Sequence, residues 1–150
     1  MMNLTYYIER MFNEFEEFYQ YKKDSISEDE IYARQLCEYF VKSGKQYQLK
    51  STEMNGEEEI LVLEEMGEVT TFSNEKNYSG LGLNIEFRLY NAFGDMNLLS
   101  VKHMNSHWEV IRYLLKDVVD VPNRGQMLRD SSELDEDRQV YVIYVTELPS

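Results

Sequence analysis

Residues 139–148, QVYVIYVTEL, form the most β-prone stretch of the chain and are the best guide to its fold class. Valine, isoleucine and tyrosine, which dominate it, favour extended backbone. Alternation along a strand gives it two apolar faces, one formed by Val140, Val142 and Tyr144 and the other by Tyr141, Ile143 and Val145. A strand that is apolar on both faces is predicted to lie in the interior of a sheet.

The first of two predicted hairpins spans residues 46–66. Asn55 and Gly56 both tolerate positive φ, so they mark its turn. A two-residue turn at this point pairs Leu49 with Val62 and Ser51 with Ile60. A short strand is predicted to follow at residues 69–72, before a polar loop over residues 73–82.

The second hairpin begins with residues 83–90, LNIEFRLY, which alternate between apolar and polar side chains. The alternation directs Leu83, Ile85, Phe87 and Leu89 to one face and Asn84, Glu86, Arg88 and Tyr90 to the other. A turn around Gly94 leads into a partner strand at residues 96–104. This hairpin is therefore predicted to have one apolar and one polar face.

The first helix is predicted over residues 4–22, because apolar side chains recur there at spacings of three and four. The stripe consists of Leu4, Ile8, Met11, Phe15 and Phe18. A second helix begins at a capping box, in which Ser27 and Glu30 each satisfy a backbone N–H at the other's position. It is predicted to end at Gly44.

The third helix is predicted to begin near Ser106, which forms a second capping box with Glu109. It ends before Pro122, and its buried stripe is expected to contain Trp108, Ile111, Leu114, Leu115 and Val118. The polar and charged residues 121–137 that follow are predicted to be irregular.

These elements predict an α+β fold in a single domain over residues 1–150. The expected architecture is a mainly antiparallel sheet of about five to six strands, with two N-terminal helices and one later helix packed on it. The sequence shows no internal repeat and no linker between two cores. Because 43% of the 150 residues are hydrophobic, the chain has enough apolar material for one core.

Charge and cysteine content limit the possible functions. A net charge of −13 repels nucleic-acid phosphates and anionic membranes and attracts basic partners, so we expect neither direct nucleic acid binding nor membrane binding. Cys37 is the single cysteine, which excludes an intrachain disulfide and a thiolate zinc site. The sequence has no recognisable signal peptide or membrane helix, and a soluble, cytoplasmic protein is expected.

The stretch HMNSHWEV, residues 103–110, contains both histidines of the chain. Two histidines four residues apart on one helix could share a metal ion. The capping box at Ser106, however, leaves His103 on the preceding strand and His107 in the first helical turn. We therefore expect no metal and no cofactor.

Other motifs of catalysis or ligand binding are also missing from the sequence. Residues 73–82 lack the spacing of a phosphate loop, and residues 130–137 lack the ligand pattern of a calcium loop. There is no GxSxG motif, and nothing selects two of the 28 acidic residues as a catalytic pair. The protein is therefore not expected to be an enzyme.

Acidic residues cluster in three places, namely the exposed face of the first predicted helix and two later segments. The two later segments form the candidate binding surface for a basic partner. Their acidic residues are Glu57, Glu58, Glu59, Glu64, Glu65, Glu68, Asp130, Glu133, Asp135, Glu136 and Asp137. If the fold brings the two segments together, they make one negative patch that can occupy a groove built for phosphates.

The expected function is inhibition or neutralisation of a basic, nucleic-acid-handling protein such as a nuclease. In composition alone, the chain is similar to toxin-immunity proteins and to phage-encoded inhibitors such as anti-CRISPR proteins, which are short, acidic and poor in motifs. The alternative is a small enzyme or ligand-binding domain. It would use a pocket lined by tyrosines and carboxylates over the sheet, with metal assistance through His103 and His107.

Overall fold

A computed structural model describes residues 3–149 of the chain. These residues form two helices and ten strands, and all ten strands belong to one sheet. The helices are α1 (Glu28–Gln35) and α2 (His107–Leu114). The strands are β1 (Asn3–Met11), β2 (Glu14–Tyr21), β3 (Tyr39–Lys42), β4 (Lys45–Asn55), β5 (Glu58–Glu68), β6 (Leu83–Leu89), β7 (Leu98–Met104), β8 (Val118–Val121), β9 (Gly125–Asp135) and β10 (Val140–Glu147).

The sheet is mixed, with the strand order β2-β1-β5-β4-β3-β9-β10-β6-β7. β8 lies off this path and pairs with the beginning of β9. Three neighbouring pairs are parallel, namely β1 with β5, β3 with β9, and β6 with β10. The expected α+β fold, with a mainly antiparallel sheet of five to six strands and two N-terminal helices, is therefore wrong. β10 does lie between two strands, as its two apolar faces predict.

Residues 4–22 form β1 and β2 instead of the predicted helix. Leu4, Tyr6 and Ile8 are all buried, which is the alternation of a strand. Two members of the predicted helical stripe, Met11 and Phe15, are instead 67% and 54% exposed. The apolar residues of this segment fit the spacing of a helix as well as the alternation of a strand. Pairing of β1 with both β2 and β5 stabilises the strand.

The serine half of each predicted capping box forms, while the Glu30 and Glu109 carboxylates accept hydrogen bonds from Arg34 and from the Asn105 N–H instead. Both helices are shorter than predicted. The backbone N–H groups of Glu30 and Glu109 each donate to the serine three residues earlier, at 3.4 Å. Each helix ends after eight residues, and β3 or β8 begins shortly afterwards, because the residues that follow pair with the sheet. Trp108 and Leu115 are 69% and 60% exposed, so the buried stripe of α2 is restricted to Val110, Ile111 and Leu114. No helix within residues 3–149 could span a membrane.

Three strand predictions are wrong in detail. The segment 121–137 is not irregular, because β9 runs through it and pairs with β10. Residues 69–72 form no strand. In the first hairpin, the observed partners are Leu49 with Leu63 and Ser51 with Val62, because the turn lies one residue later and the ladder is irregular between Leu49 and Ser51.

The two halves of the chain share one topology, although the sequence shows no internal repeat. Residues 3–68 contain β1, β2, α1, β3, β4 and β5, and residues 83–147 contain β6, β7, α2, β8, β9 and β10 in the same order. In each half, the first strand is antiparallel to the second and parallel to the last. β3 joins the halves by pairing with β9.

The two faces of the sheet differ in what covers them. Both helices pack on one face, here called the helix face, whose core includes Leu4 and Leu61 from the first half and Ile85 and Ile143 from the second. The other is called the open face. Residues 69–82, called the cover segment, cross it in the second half, where Tyr78 packs with Val140, Val142 and Tyr144.

Candidate functional site

A cavity of about 290 Å³ lies on the open face where the two halves meet, and we call it the sheet cleft. Tyr39 and Gln46 line it from the first half, Glu133 and Tyr144 from the second, and Phe72 from the cover segment. Tyr39 pairs with Glu133 at the junction of β3 and β9. Strand pairing between the halves thus places tyrosines and a carboxylate side by side.

Glu86 lies at the centre of a buried ion network beside the sheet cleft and is 0% exposed. Arg138 donates to it from two nitrogens at 2.8 and 3.1 Å, Arg88 at 2.9 Å, and the Tyr78 hydroxyl at 2.8 Å. Burial by itself would raise the pKa of Glu86, but hydrogen bonds from the two arginines hold that pKa below its usual value. The network therefore contains an ionised carboxylate between two guanidinium groups.

Both arginines of this network use their donors within the protein. Arg88 also donates to the carbonyls of Ser73 and Met96, each at 2.9 Å. Arg138 donates to Asp135 at 2.8 Å and to the carbonyl of Lys76 at 3.2 Å. The guanidinium groups thereby hold the cover segment on the sheet, and they close one side of the sheet cleft.

Glu133 differs from the other buried carboxylates of this region, because no lysine or arginine within residues 3–149 forms a salt bridge with it. It is 4% exposed. Its two oxygens accept one hydrogen bond each, from the Gln46 amide at 2.8 Å and from the Tyr144 hydroxyl at 3.1 Å. Burial, reinforced by the nearby Asp135 carboxylate, raises the pKa of Glu133 to about 7. Its charge therefore changes near neutral pH.

One row of side chains crosses the open face from the first acidic segment to the second. Strand pairing sets Glu64 beside Gln48, Gln48 beside Tyr39, and Tyr39 beside Glu133. Glu58 lies on the same face, where it accepts a hydrogen bond from the Thr5 hydroxyl at 2.9 Å. The fold thus brings members of both acidic segments onto one face, as neighbours across four strands.

Other members of the proposed acidic surface are engaged elsewhere or exposed. Glu59 and Glu65 point to the helix face. The Gln35 amide donates to Glu59 at 3.0 Å, and Arg10 and Lys45 donate to Glu65 at 2.8 and 3.3 Å. Asp135 is buried against Arg138. Glu57, Glu68 and Asp130 are exposed.

Glu136 and Asp137, in the turn after β9, connect the second half of the chain to the first. Glu136 accepts hydrogen bonds from Arg34 of α1 at 2.8 Å and from Lys42 of β3 at 2.9 Å. Asp137 accepts hydrogen bonds from the two backbone N–H groups of the β3–β4 turn at 2.7 and 2.8 Å. These two carboxylates are therefore engaged by the first half of the chain.

Replacing Glu136 by glutamine is expected to lower the free energy of unfolding by about 2 kcal/mol, because the buried Arg34 would lose a charged acceptor. Urea denaturation followed by circular dichroism measures the change. The exposed Glu57→Gln is the control and should stay within about 0.5 kcal/mol of the wild type. Equal stability of the two variants would show that this turn does not hold the halves together.

The two histidines lie on opposite faces of the sheet. His103 pairs with Asn84 on the open face. His107 lies on the helix face, with its ring centroid 5.8 Å from that of Tyr141 and its Nε2 3.9 Å from the Glu30 carboxylate. Burial lowers the pKa of His107, against the opposing effect of Glu30. The two rings cannot hold one ion, and residues 3–149 contain no group of three side chains suited to a metal.

Sequence reasoning missed the residues that organise the sheet cleft. Glu86 and Arg88 were assigned to the polar face of a strand, which normally faces solvent, yet both are fully buried. Their opposite charges two residues apart on one strand were the available signal, since such side chains share a face. Gln46, Tyr144 and Arg138 carried no signal, because their partners are distant in the chain.

The chain was compared with protein-family models, curated proteins and solved structures. None of the three comparisons finds a match.

Proposed function

We propose that this protein binds a basic, nucleic-acid-handling protein, such as a nuclease, and neutralises it by covering its basic surface. The observation that carries the proposal is the charge of the open face. In the first half, five carboxylates alternate with the core residues of β1, β2, β4 and β5 and so point to this face: Glu9, Glu17, Glu53, Glu58 and Glu64. Lys50 lies near them, with its Nζ 3.9 Å from Glu64.

Electrostatic attraction and contact area would act together in this mechanism. The net charge of −13 accelerates the encounter with a basic protein, and the carboxylates of the open face then compete with phosphates for its cations. Tyr7 and Tyr39 lie on the same face and can supply the aromatic contacts that anchor interfaces. The proposal assigns no enzymatic activity, nucleic acid binding or membrane binding to the chain, and it places the complex in the cytoplasm.

A double charge reversal, Glu53→Lys with Glu64→Lys, is expected to slow association with the partner by at least about tenfold at low salt. Both side chains are exposed, so the fold should be retained. Affinity capture from cells of the source organism, followed by mass spectrometry, identifies the partner. Stopped-flow mixing then measures the association rate from about 50 to about 500 mM salt, over which the wild-type rate should fall steeply.

The matched control is Asp117→Lys with Glu147→Lys, which changes the net charge equally. Both residues are exposed, and Glu147 pairs with the core residue Met127, on the helix face. The control should associate much faster than the open-face variant. Equal rates for the two variants, or a wild-type rate independent of salt, would contradict the proposal.

The alternative of a ligand-binding domain has one observation in its favour. The sheet cleft is lined by Tyr39, Tyr144 and Glu133, which is the tyrosine and carboxylate lining that such a pocket requires. The metal-assisted form has no such support, because His103 and His107 lie on opposite faces of the sheet.

A further inference from the structure

We propose that the sheet cleft is a binding site for one organic cation and that, in the complex, it receives an arginine side chain of the basic partner. The statement that the arginine belongs to a basic partner rests on the proposed function. The statement that the cleft binds an organic cation rests only on the residues that line the cleft.

The charges around the sheet cleft favour a cation. Two arginines, Arg88 and Arg138, line the cleft and are paired with the buried Glu86. Four further carboxylates line it, so negative charge is in excess: Glu75, Asp130, Glu133 and Asp135. Glu86 and Asp135 have arginine partners at 2.8 to 2.9 Å, and Glu75 lies 3.6 Å from Arg138. Glu133 is buried and accepts its hydrogen bonds from two neutral donors, Gln46 and Tyr144. Burying a carboxylate without a counter-ion is unfavourable, and a bound cation would supply one.

An anion would find little to bind in the same cavity. Arg88 gives its donors to Glu86 and to carbonyls of the cover segment and of Met96. Arg138 gives its donors to Glu86, Asp135 and the carbonyl of Lys76. Acceptors remain, because each oxygen of Glu133 accepts one hydrogen bond and a carboxylate oxygen can accept two.

The size and walls of the cleft suit a guanidinium group. Its volume of about 290 Å³ is at the lower limit of small-molecule pockets, which is enough for one side chain. Tyr39, Phe72 and Tyr90 line it, and aromatic faces attract cations. A planar guanidinium can also donate two parallel hydrogen bonds to one carboxylate, which makes arginine a better fit than lysine.

The test uses two amides of the same shape, N-acetylarginine amide and the uncharged N-acetylcitrulline amide, added to the ¹⁵N-labelled protein at about pH 8, where Glu133 is ionised. We expect the arginine amide to cause saturable shifts of backbone amide signals around the cleft, at Gln46, Glu133 and Tyr144. The citrulline amide should bind at least about tenfold more weakly. Equal affinity of the two amides, or arginine-dependent shifts confined to other surfaces, would overturn the inference.

Three variants test whether the binding depends on Glu133. Glu133→Gln keeps the side-chain shape and should weaken arginine amide binding by at least about tenfold, with the rest of the spectrum unchanged. Glu64→Gln removes a charge from the same face, outside the residues that line the cleft, and should bind like the wild type. If Glu133→Gln retains wild-type affinity, the cleft is not the site. Asp130→Asn, an exposed change at the cleft lining, should weaken binding less than Glu133→Gln.

The outcomes for the cleft and for the proposed function are separable. If the arginine amide binds at Glu133 but no basic protein is captured, the cation site stands, a small guanidinium compound becomes its ligand, and the proposed function fails. If partner association depends on Glu53 and Glu64 while the arginine amide causes no saturable shifts, the proposed function stands and the cation site is overturned.

Discussion

Replacing Glu86 by glutamine is expected to lower the free energy of unfolding by about 3 to 5 kcal/mol, the range for removing one partner of a buried ion pair. Glu86 is fully buried and is the carboxylate that Arg88 and Arg138 share. Glutamine keeps the shape but removes the charge, so two guanidinium groups would stay buried with less compensation. Equilibrium unfolding in urea measures the loss.

The control for this experiment is Glu64→Gln on β5. Glu64 is exposed, and its contact with Lys50 spans 3.9 Å, so this variant should stay within about 0.5 kcal/mol of the wild type. Hydrogen exchange in the cover segment should also accelerate in Glu86→Gln, because Arg88 holds the carbonyl of Ser73. A loss below about 1 kcal/mol would show that the network is not what holds this segment on the sheet.

Glu133 is expected to make the protein less stable as the pH rises toward neutrality. Its pKa is raised to about 7 in the folded protein, from an ordinary value of 4.5 that applies to the unfolded chain. Between these values the folded state keeps a proton that the unfolded state has released. The stability that protonated Glu133 contributes to the fold is therefore fully present below about pH 4.5 and is lost as the pH rises through about 7. The loss amounts to about 3 kcal/mol.

Glu133→Gln isolates this effect, because glutamine does not titrate. The stability of the variant relative to the wild type should increase by about 3 kcal/mol between about pH 4.5 and pH 7.5. Other carboxylates such as Glu86 are present in both proteins, so their effects cancel in the difference. Urea denaturation at a series of pH values measures it. Parallel pH profiles for the two proteins would mean that Glu133 is not buried in a way that favours its neutral form.

Short-range signals in the sequence were the successful part of the fold prediction. The N-caps at Ser27 and Ser106 depend on neighbouring residues, and both form. β10 was predicted as an interior strand because its own side chains are apolar on both faces. These signals are reliable because each depends on a few adjacent residues whose geometry is the same in any fold.

Predictions that depend on distant partners failed. The segment 4–22 has a spacing that fits a helix, but β1 pairs with β5, more than fifty residues later in the chain, and becomes a strand. The charged residues of β9 suggested an irregular segment, yet Glu133 is bonded to Gln46 and Tyr144 within the sheet. The composition of a segment contains no information about such distant partners, so it predicted that the carboxylates of β9 face solvent.

The sequence by itself determined that the chain is acidic, has one cysteine, contains two capped helices and has a strongly apolar strand at residues 139–148. Only the tertiary structure decided which of its many carboxylates are exposed and which are paired or buried. It pairs Glu136 with Arg34, encloses Glu86 between two arginines, and buries Glu133 without a salt bridge to any lysine or arginine of residues 3–149. The physical reason is that burial and charge compensation depend on strands brought together from both halves of the chain. The acidic composition indicates a basic partner, and the fold indicates where one of its side chains would bind.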